Sequence, residues 1–320
     1  MYNYRRISEK IQEIILDNPK NPGSLRWLNI SQAGKKEIAY LRKQYNFNLN
    51  HLRASIASIF SQRPMIFEED DYVFLILHFP VFRGNRIVAA EIEFFIGHGY
   101  LITIHNGNIP SLDDFFSLCR KNPDSLLSYN FESSAILLYE LLDKLIQNCY
   151  ALLDKNSITI NRLENLIFSN EPKKATQKIL DLRRNVINIR RIMQNHKNIL
   201  SRLTEMRSSL VPRAELKKCY DRLVDHSKRI WEMLDNQKEM IEVLGMTNQS
   251  LLDNQMTSIM KTLTIFSVIV FPLTLLAAIF SMRTEYMPIV SRHYDFWIII
   301  GLMALIGVSM LFVFKRKRWL

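Results

Sequence analysis

Three cysteines are all that this 320-residue chain contains, at Cys119, Cys149 and Cys219. None forms a CxxC pair, and no histidine stands at ligand spacing beside them. That excludes a disulfide scaffold and a cysteine-based zinc site, and it predicts reduced thiols in a cytosolic domain. The segment from Met1 to Lys10 is polar and lacks the apolar core of a signal peptide, so the N-terminal part is expected to stay in the cytosol. A GxxxxGK[ST] loop, a GxSxG elbow, an HExxH pair and a local Cys/His dyad are all missing. Their absence argues against an enzyme, against a catalytic cofactor and against ATP hydrolysis as an energy source. The net charge is +11, yet no nucleic-acid recognition motif accompanies it. Arg183, Arg184, Arg190 and Arg191 read as a solvated helix face, and nucleic acid is not expected as a partner.

Charge itself is missing from two stretches, Leu263 to Phe280 and Phe296 to Phe314. Each has about the ~18–20 residues that a helix needs to cross a ~30 Å hydrocarbon core. The chain then stops at Lys315-Arg316-Lys317-Arg318-Trp319-Leu320. Lys261 precedes the first run, while the loop 281–295 sets Arg283 and Arg292 against Glu285 and Asp295. The positive-inside rule therefore puts both termini in the cytoplasm and the loop outside. The basic tail suits an anionic lipid surface.

Ahead of these runs the pattern changes once. Residues 1–130 read as a mixed α/β domain. Leu25 to Ile30 looks like a short strand, Gly34 to Tyr45 has helical periodicity, and Tyr72 to Phe82 reads as a buried strand. Gly84-Asn85 signals a turn. Arg86 to Ile96 and Tyr100 to His105 read as a hairpin turning at Gly97-His98-Gly99, with antiparallel pairing because the connections are too short for crossovers. From about Ser111 the pattern is helical. Ser133 to Asn165 is one long candidate, Pro172 interrupts, Ile179 to Leu203 is a second helix, and Pro212 interrupts again.

The third helix carries a heptad seam through Leu216, Tyr220, Leu223, Ser227, Ile230, Leu234, Gln237, Ile241, Leu244, Asn248, Leu251 and Gln255. The polar members Gln237, Asn248 and Gln255 suggest a face that lines water or surrounds an axis. No proline lies between Arg213 and Leu263, so the helix can run on to Phe280, which makes 68 residues, or roughly 100 Å. Gly245 is its weak spot, at about 1 kcal/mol. Pro272 frees the carbonyl of Val268 and can bend the apolar part.

Several segments together resemble the CorA family of divalent-cation channels, which includes the zinc-transporting ZntB branch. Gln62-Arg63-Pro64 followed by Glu68-Glu69-Asp70-Asp71-Tyr72-Val73-Phe74 resembles the approach to its central strands. Glu91 to Ile96 and Tyr100 to His105 resemble its hairpin, and Leu137 to Asp143 its first long helix. Most specific are Met260-Lys261-Thr262-Leu263-Thr264 to Phe271-Pro272-Leu273-Thr274, then Glu285-Tyr286-Met287-Pro288, and the tail ending Trp319-Leu320. The resemblance implies an α+β cytoplasmic domain followed by long helices and two C-terminal transmembrane helices, assembled as a homopentameric funnel with a central pore. The domains would be 1–130 (α/β), 131–211 (willow-type helical hairpin), 212–262 (stalk), 263–280 (first membrane helix, the pore wall), 281–295 (external loop), 296–314 (second membrane helix) and 315–320 (basic tail).

Carried over residue by residue, the pore face would be Thr257, Met260, Leu263, Ser267, Phe271, Thr274, Ala278 and Ser281, at helical steps of three and four. Met260, Leu263 and Phe271 would form apolar constrictions that gate by dewetting. Thr257 and Thr274 would offer hydroxyl oxygens to a hydrated cation. Ordinary helix packing is the plain alternative for the same stripe.

Two features depart from the family. Its Gly-Met-Asn signature reads here Ser281-Met282-Arg283. The asparagine oxygen contacts the hydration shell of an ion such as Mg²⁺, which loses water reluctantly, whereas arginine has no acceptor and stays charged. One such charge opposes a divalent ion ~8 Å away by about 1 kcal/mol in bulk water. Arg283 could instead turn to headgroups or pair with Glu285. In the stalk, Arg222 stands where magnesium-gated members are expected to carry a carboxylate. Asp225, Glu232, Asp235 and Glu239 could form acidic rings for a regulatory metal, or simply a solvated face, so feedback by intracellular Mg²⁺ is not expected. The resulting expectation is a homopentamer in the cell's inner membrane, in contact with lipids. It would carry divalent cations, Mg²⁺ first and Zn²⁺, Co²⁺ or Ni²⁺ as alternatives, down an electrochemical gradient. The rival is a CorA-like pentamer that is anion-permeable or a non-conducting scaffold or regulator.

Overall fold

The structure is a computed structural model describing residues 3–17, 24–56, 63–84, 86–107, 109–121, 133–169, 172–206, 215–282, 294–317 and 319. Asn85, Pro212, Arg283 and Glu285 lie outside the described residues. Two compact units emerge, Met1–Gly245 and Met246–Leu320.

The first unit is built on a seven-stranded sheet. Its strands are β1 (Asn3–Arg6), β2 (Ile11–Asp17), β3 (Ser24–Ser31), β4 (Met65–Glu68), β5 (Tyr72–Arg83), β6 (Arg86–Gly97) and β7 (Tyr100–His105). They lie in the order β1-β2-β3-β7-β6-β5-β4. The β5–β6 and β6–β7 hairpins are antiparallel, as their short connections require. The pair β3–β7 is parallel, with Leu28 opposite Ile102, and helices α1 (Lys35–Tyr45) and α2 (Leu49–Ala54) lie on the connection between them. At the β6–β7 turn, Gly99 has φ +75°, and a Cβ on Gly97 would sit 2.0 Å from the Tyr100 ring. Both positions therefore require glycine.

β5 and β6 are buried on both faces, which is why they read as continuous apolar runs. On one face Phe74, Ile76, Phe95 and Ile102 pack with Leu41, Phe47 and Leu52 from the α1–α2 layer. On the other, Trp27 meets Phe115 and Phe116 of α3 (Pro110–Lys121), with ring centroids 5.7 and 4.9 Å away. The Trp27 indole donates to the Thr103 hydroxyl (3.2 Å), which donates to Asn29 Oδ1 (2.8 Å). This pairing lets buried polar groups sit in the sheet at low cost.

Helix α4 (Ser134–Phe168) starts where the Ser133 hydroxyl accepts from the Ile136 amide. Helix α5 (Pro172–Met193) opens on its proline, the position at which a missing N–H costs nothing. The helix expected over Ile179–Leu203 is instead two: α5 ends at Met193 and α6 (His196–Glu205) follows a turn at Gln194-Asn195. After that turn His196, Ile199, Leu200 and Leu203 are all buried. Burial of this apolar face outweighs the local preference for one uninterrupted helix.

Helix α7 (Glu215–Ser281) carries the heptad seam. Within the first unit Tyr220, Leu223, Ile230, Leu234, Gln237 and Ile241 are buried. The Tyr220 hydroxyl donates to Ala135 O of α4 at 2.7 Å, and Gln237 Nε2 donates to Leu153 O and Ser157 Oγ at 2.8 and 2.9 Å. The expectation that Gln237 lines water is therefore corrected. It faces α4 of its own chain, where a side-chain amide can be satisfied without solvent.

The second unit holds α7 from Met246 onward and α8 (Asp295–Arg316). Both helices are long and apolar enough to cross a membrane, and their apolar windows are unburied within the chain. A core helix of a soluble protein would cover such a surface, so this one calls for lipid or another subunit.

Candidate ion pathway

Thr257, Met260, Leu263, Ser267, Phe271, Thr274, Ala278 and Ser281 all stand on α7, within about a third of its circumference at ~100° per residue. Ser267 is half-buried and the rest are exposed. Ile265, the buried residue of this stretch, projects elsewhere, as does Leu273, which approaches Gly307 of α8. Helix α8 thus covers a different side of α7 from the candidate pore face. Ile259 and Phe266, which stand off this arc, are exposed as well, so exposure in one chain does not by itself single that face out.

The hydroxyl chemistry is one-directional. Thr257 Oγ1 donates to Asp253 O at 2.9 Å, and Thr274 Oγ1 donates to Phe271 O at 2.8 Å. With its one proton spent on the helix, each oxygen keeps only acceptor capacity for an approaching cation or its water. Thr264 belongs to the same arc, four residues after Met260, and donates to Met260 O at 2.8 Å. Asp253, four residues before Thr257, places an exposed carboxylate at the lower end of the row, where Gln249 Nε2 donates to it at 3.0 Å. Sequence reasoning missed both; extending the helical step past the chosen residues would have found them.

Met282 is exposed beyond the end of α7, while Arg283 and Glu285 fall outside the described residues. The stalk carboxylates are spread out. Asp225 pairs with Lys228 at 3.1 Å. Asp235 pairs with Arg190, whose guanidinium also lies 4.6 Å from the Trp231 ring centre. Glu232 is exposed, and Glu239 lines an apolar groove of about 470 Å³ with Glu164, Met240 and Val243. Among the described residues no three His, Cys, Asp or Glu side chains of one chain come together as a metal cage. His226 is tied to the Tyr150 hydroxyl at 2.9 Å.

Residues 22–316 match the family described as CorA-like Mg²⁺ transporter protein. The chain belongs to that family. CorA relatives include YfjQ of Bacillus subtilis, 25% identical over 92% of this chain and 89% of its own. The cobalt/magnesium transport protein CorA of Thermotoga maritima is 24% identical over 92% of this chain and 83% of its own. The complete CorA magnesium transporter from Methanocaldococcus jannaschii shares the fold, with a TM-score of 0.81 and 20% identity over 92% of each chain. The CorA architecture of an α/β domain, a long helix and two C-terminal apolar helices is thus this chain's own, and the family's members are transporters rather than enzymes.

Proposed function

We propose that five copies of this chain assemble around the Thr257–Ser281 face of α7 and conduct divalent metal cations, Mg²⁺ first, with Zn²⁺, Co²⁺ and Ni²⁺ as alternatives. The observation that carries this reading is a single helix face of acceptor hydroxyls and large apolar side chains, away from the side covered by α8, in a CorA-family chain. Met260, Leu263 and Phe271 act as the apolar constrictions, while Thr257, Thr264 and Thr274 meet the ion's hydration shell. Relatives named for cobalt and magnesium transport support the choice of ion. Both termini are cytoplasmic and the protein sits in the cell's inner membrane. A membrane potential supplies about 4.6 kcal/mol per divalent ion at 100 mV, so no other energy source is needed.

Arg283 favours a second reading, in which the pentamer passes anions or conducts nothing and serves as a scaffold or regulator. Rings of positive side chains suit anion pores. Flux into proteoliposomes of the purified protein separates the two, with Mg²⁺, Zn²⁺, Co²⁺, Ni²⁺ and Cl⁻ tested in turn beside Arg283→Asn. Saturable divalent uptake by the unaltered protein is the expected result. Silence there, with Mg²⁺ flux appearing only in Arg283→Asn, or Cl⁻ flux alone, replaces the first reading by the second.

A further inference from the structure

Beside the sheet of the first unit lies a cleft of about 650 Å³ that has no part in the ion pathway. Its volume is in the ~300–1,000 Å³ range of small-molecule sites. Lys10, Lys35 and Arg83 line it, and among the described residues no carboxylate forms an ion pair with any of them. Lys35 and Arg83 are exposed where they line the cleft. Lys10 Nζ donates to Gln32 O at 2.8 Å, which orients the ammonium and leaves it two further donors.

The acidic groups nearby are partnered, so none of them neutralises the three cations through an ion pair. Glu91 lines the cleft and is 9% exposed, with Oε2 2.9 Å from His78 Nε2. The buried Glu37 carboxylate accepts from the Gly34 amide at 3.0 Å and so is used in starting α1. The cleft therefore presents three cations to a ligand and one buried carboxylate held by a histidine. Three cations match the charge of a phosphate group. A carboxylate has about four lone-pair sites, so Glu91 can accept from a ligand hydroxyl or amine while bonded both to His78 and to the neighbouring Glu93 carboxyl. Ile56, Ala89 and Ile109 add apolar wall, which a bare phosphate would leave unused.

We propose that this cleft binds a small phosphate monoester of sugar-phosphate to mononucleotide size. The phosphate lies on Lys10, Lys35 and Arg83, and a hydroxyl or amine donates to Glu91. This gives the cytoplasmic unit a ligand besides the transported ion. Binding is read without ion flux, so the result stands whether or not the protein conducts.

The test is calorimetric titration of the full-length protein in detergent micelles with EDTA present. AMP, ribose 5-phosphate, adenosine and inorganic phosphate serve as probes. Saturable binding of AMP or ribose 5-phosphate is expected. Adenosine and inorganic phosphate should each bind at least about 10-fold more weakly than the better monoester. The exposed pair Lys35→Ala with Arg83→Ala should weaken that binding by at least about 10-fold, whereas Lys197→Ala on α6 leaves it unchanged. Circular dichroism confirms that each variant is folded. No saturable monoester binding, equal binding by inorganic phosphate, or equal loss in Lys197→Ala and the double variant overturns the proposal.

Discussion

Replacing His196 by phenylalanine should remove a defined part of the acid sensitivity of the first unit. The His196 ring is fully buried, edge-on to Phe79 at 5.1 Å. Burial first, and the neighbouring His78 second, hold its pKa down to about 4 from the ordinary 6.5. In the unfolded chain the ring takes a proton near pH 6.5, whereas in the folded chain it does so only near pH 4. The stability tied to the neutral ring is therefore complete above pH 6.5 and is lost as pH falls toward 4. At pH 5 the loss is about 2 kcal/mol, or about 30-fold in the opening equilibrium. Against a typical total of about 5–15 kcal/mol this is readily measured. Hydrogen exchange of the β5 and β6 amides at pH 7 and pH 5, corrected for intrinsic exchange rates, reports it directly. His196→Phe should retain about 30-fold more of its pH 7 protection at pH 5 than the unaltered protein does. Glu93 provides a control of opposite sign. Burial raises its pKa, with the Ser55 hydrogen bond opposing and the Glu91 charge adding. Its contribution is present below the ordinary carboxylate value of 4.5 and is lost as pH rises. Glu93→Gln should consequently lose more protection between pH 7 and pH 5 than the unaltered protein. An identical pH 7 to pH 5 ratio in His196→Phe and the unaltered protein would refute the reasoning.

Gly97→Ala should destabilise the first unit by about 1–3 kcal/mol. The new methyl meets the Tyr100 ring, which is packed against Tyr45 with centroids 4.8 Å apart and has little room to retreat; a denaturant midpoint in detergent measures the loss. Gln237→Ala, which deletes two hydrogen bonds to α4, should cost about 1–3 kcal/mol and lower the thermal midpoint. If five Asp253 carboxylates ring the inner end of the pathway, Asp253→Asn should reduce divalent uptake in proteoliposomes about 5-fold. Unchanged uptake would place Asp253 away from the ion.

The parts of this protein that local patterning can specify were legible in the chain. Leu25–Ile30, Tyr72–Phe82 and the hairpin about Gly97-His98-Gly99 correspond to β3, β5 and the β6–β7 turn, because apolar runs and glycine turns act over a few residues. β1 and β2 escaped notice: Arg5, Arg6 and Glu13 break the apolar pattern, and the Arg26–Glu13 ion pair at 2.6 Å joins groups that only the sheet brings together. The split between α5 and α6 was equally hidden, since the periodicity continues through Gln194 and Asn195.

Sequence by itself determined the two uncharged spans, the long seam of α7 and the absence of enzymatic motifs, because hydrophobic periodicity and missing charge are properties of the chain alone. Tertiary structure alone decided which polar residues the seam turns inward. Gln237 looks like a water-lining residue until α4 supplies Leu153 O and Ser157 Oγ as partners. It alone also decided that Asp235 answers Arg190, and that Lys10, Lys35, Arg83 and Glu91 share one cleft. Those pairings join residues far apart in the chain, and a side chain's electrostatic environment is set by its neighbours in space.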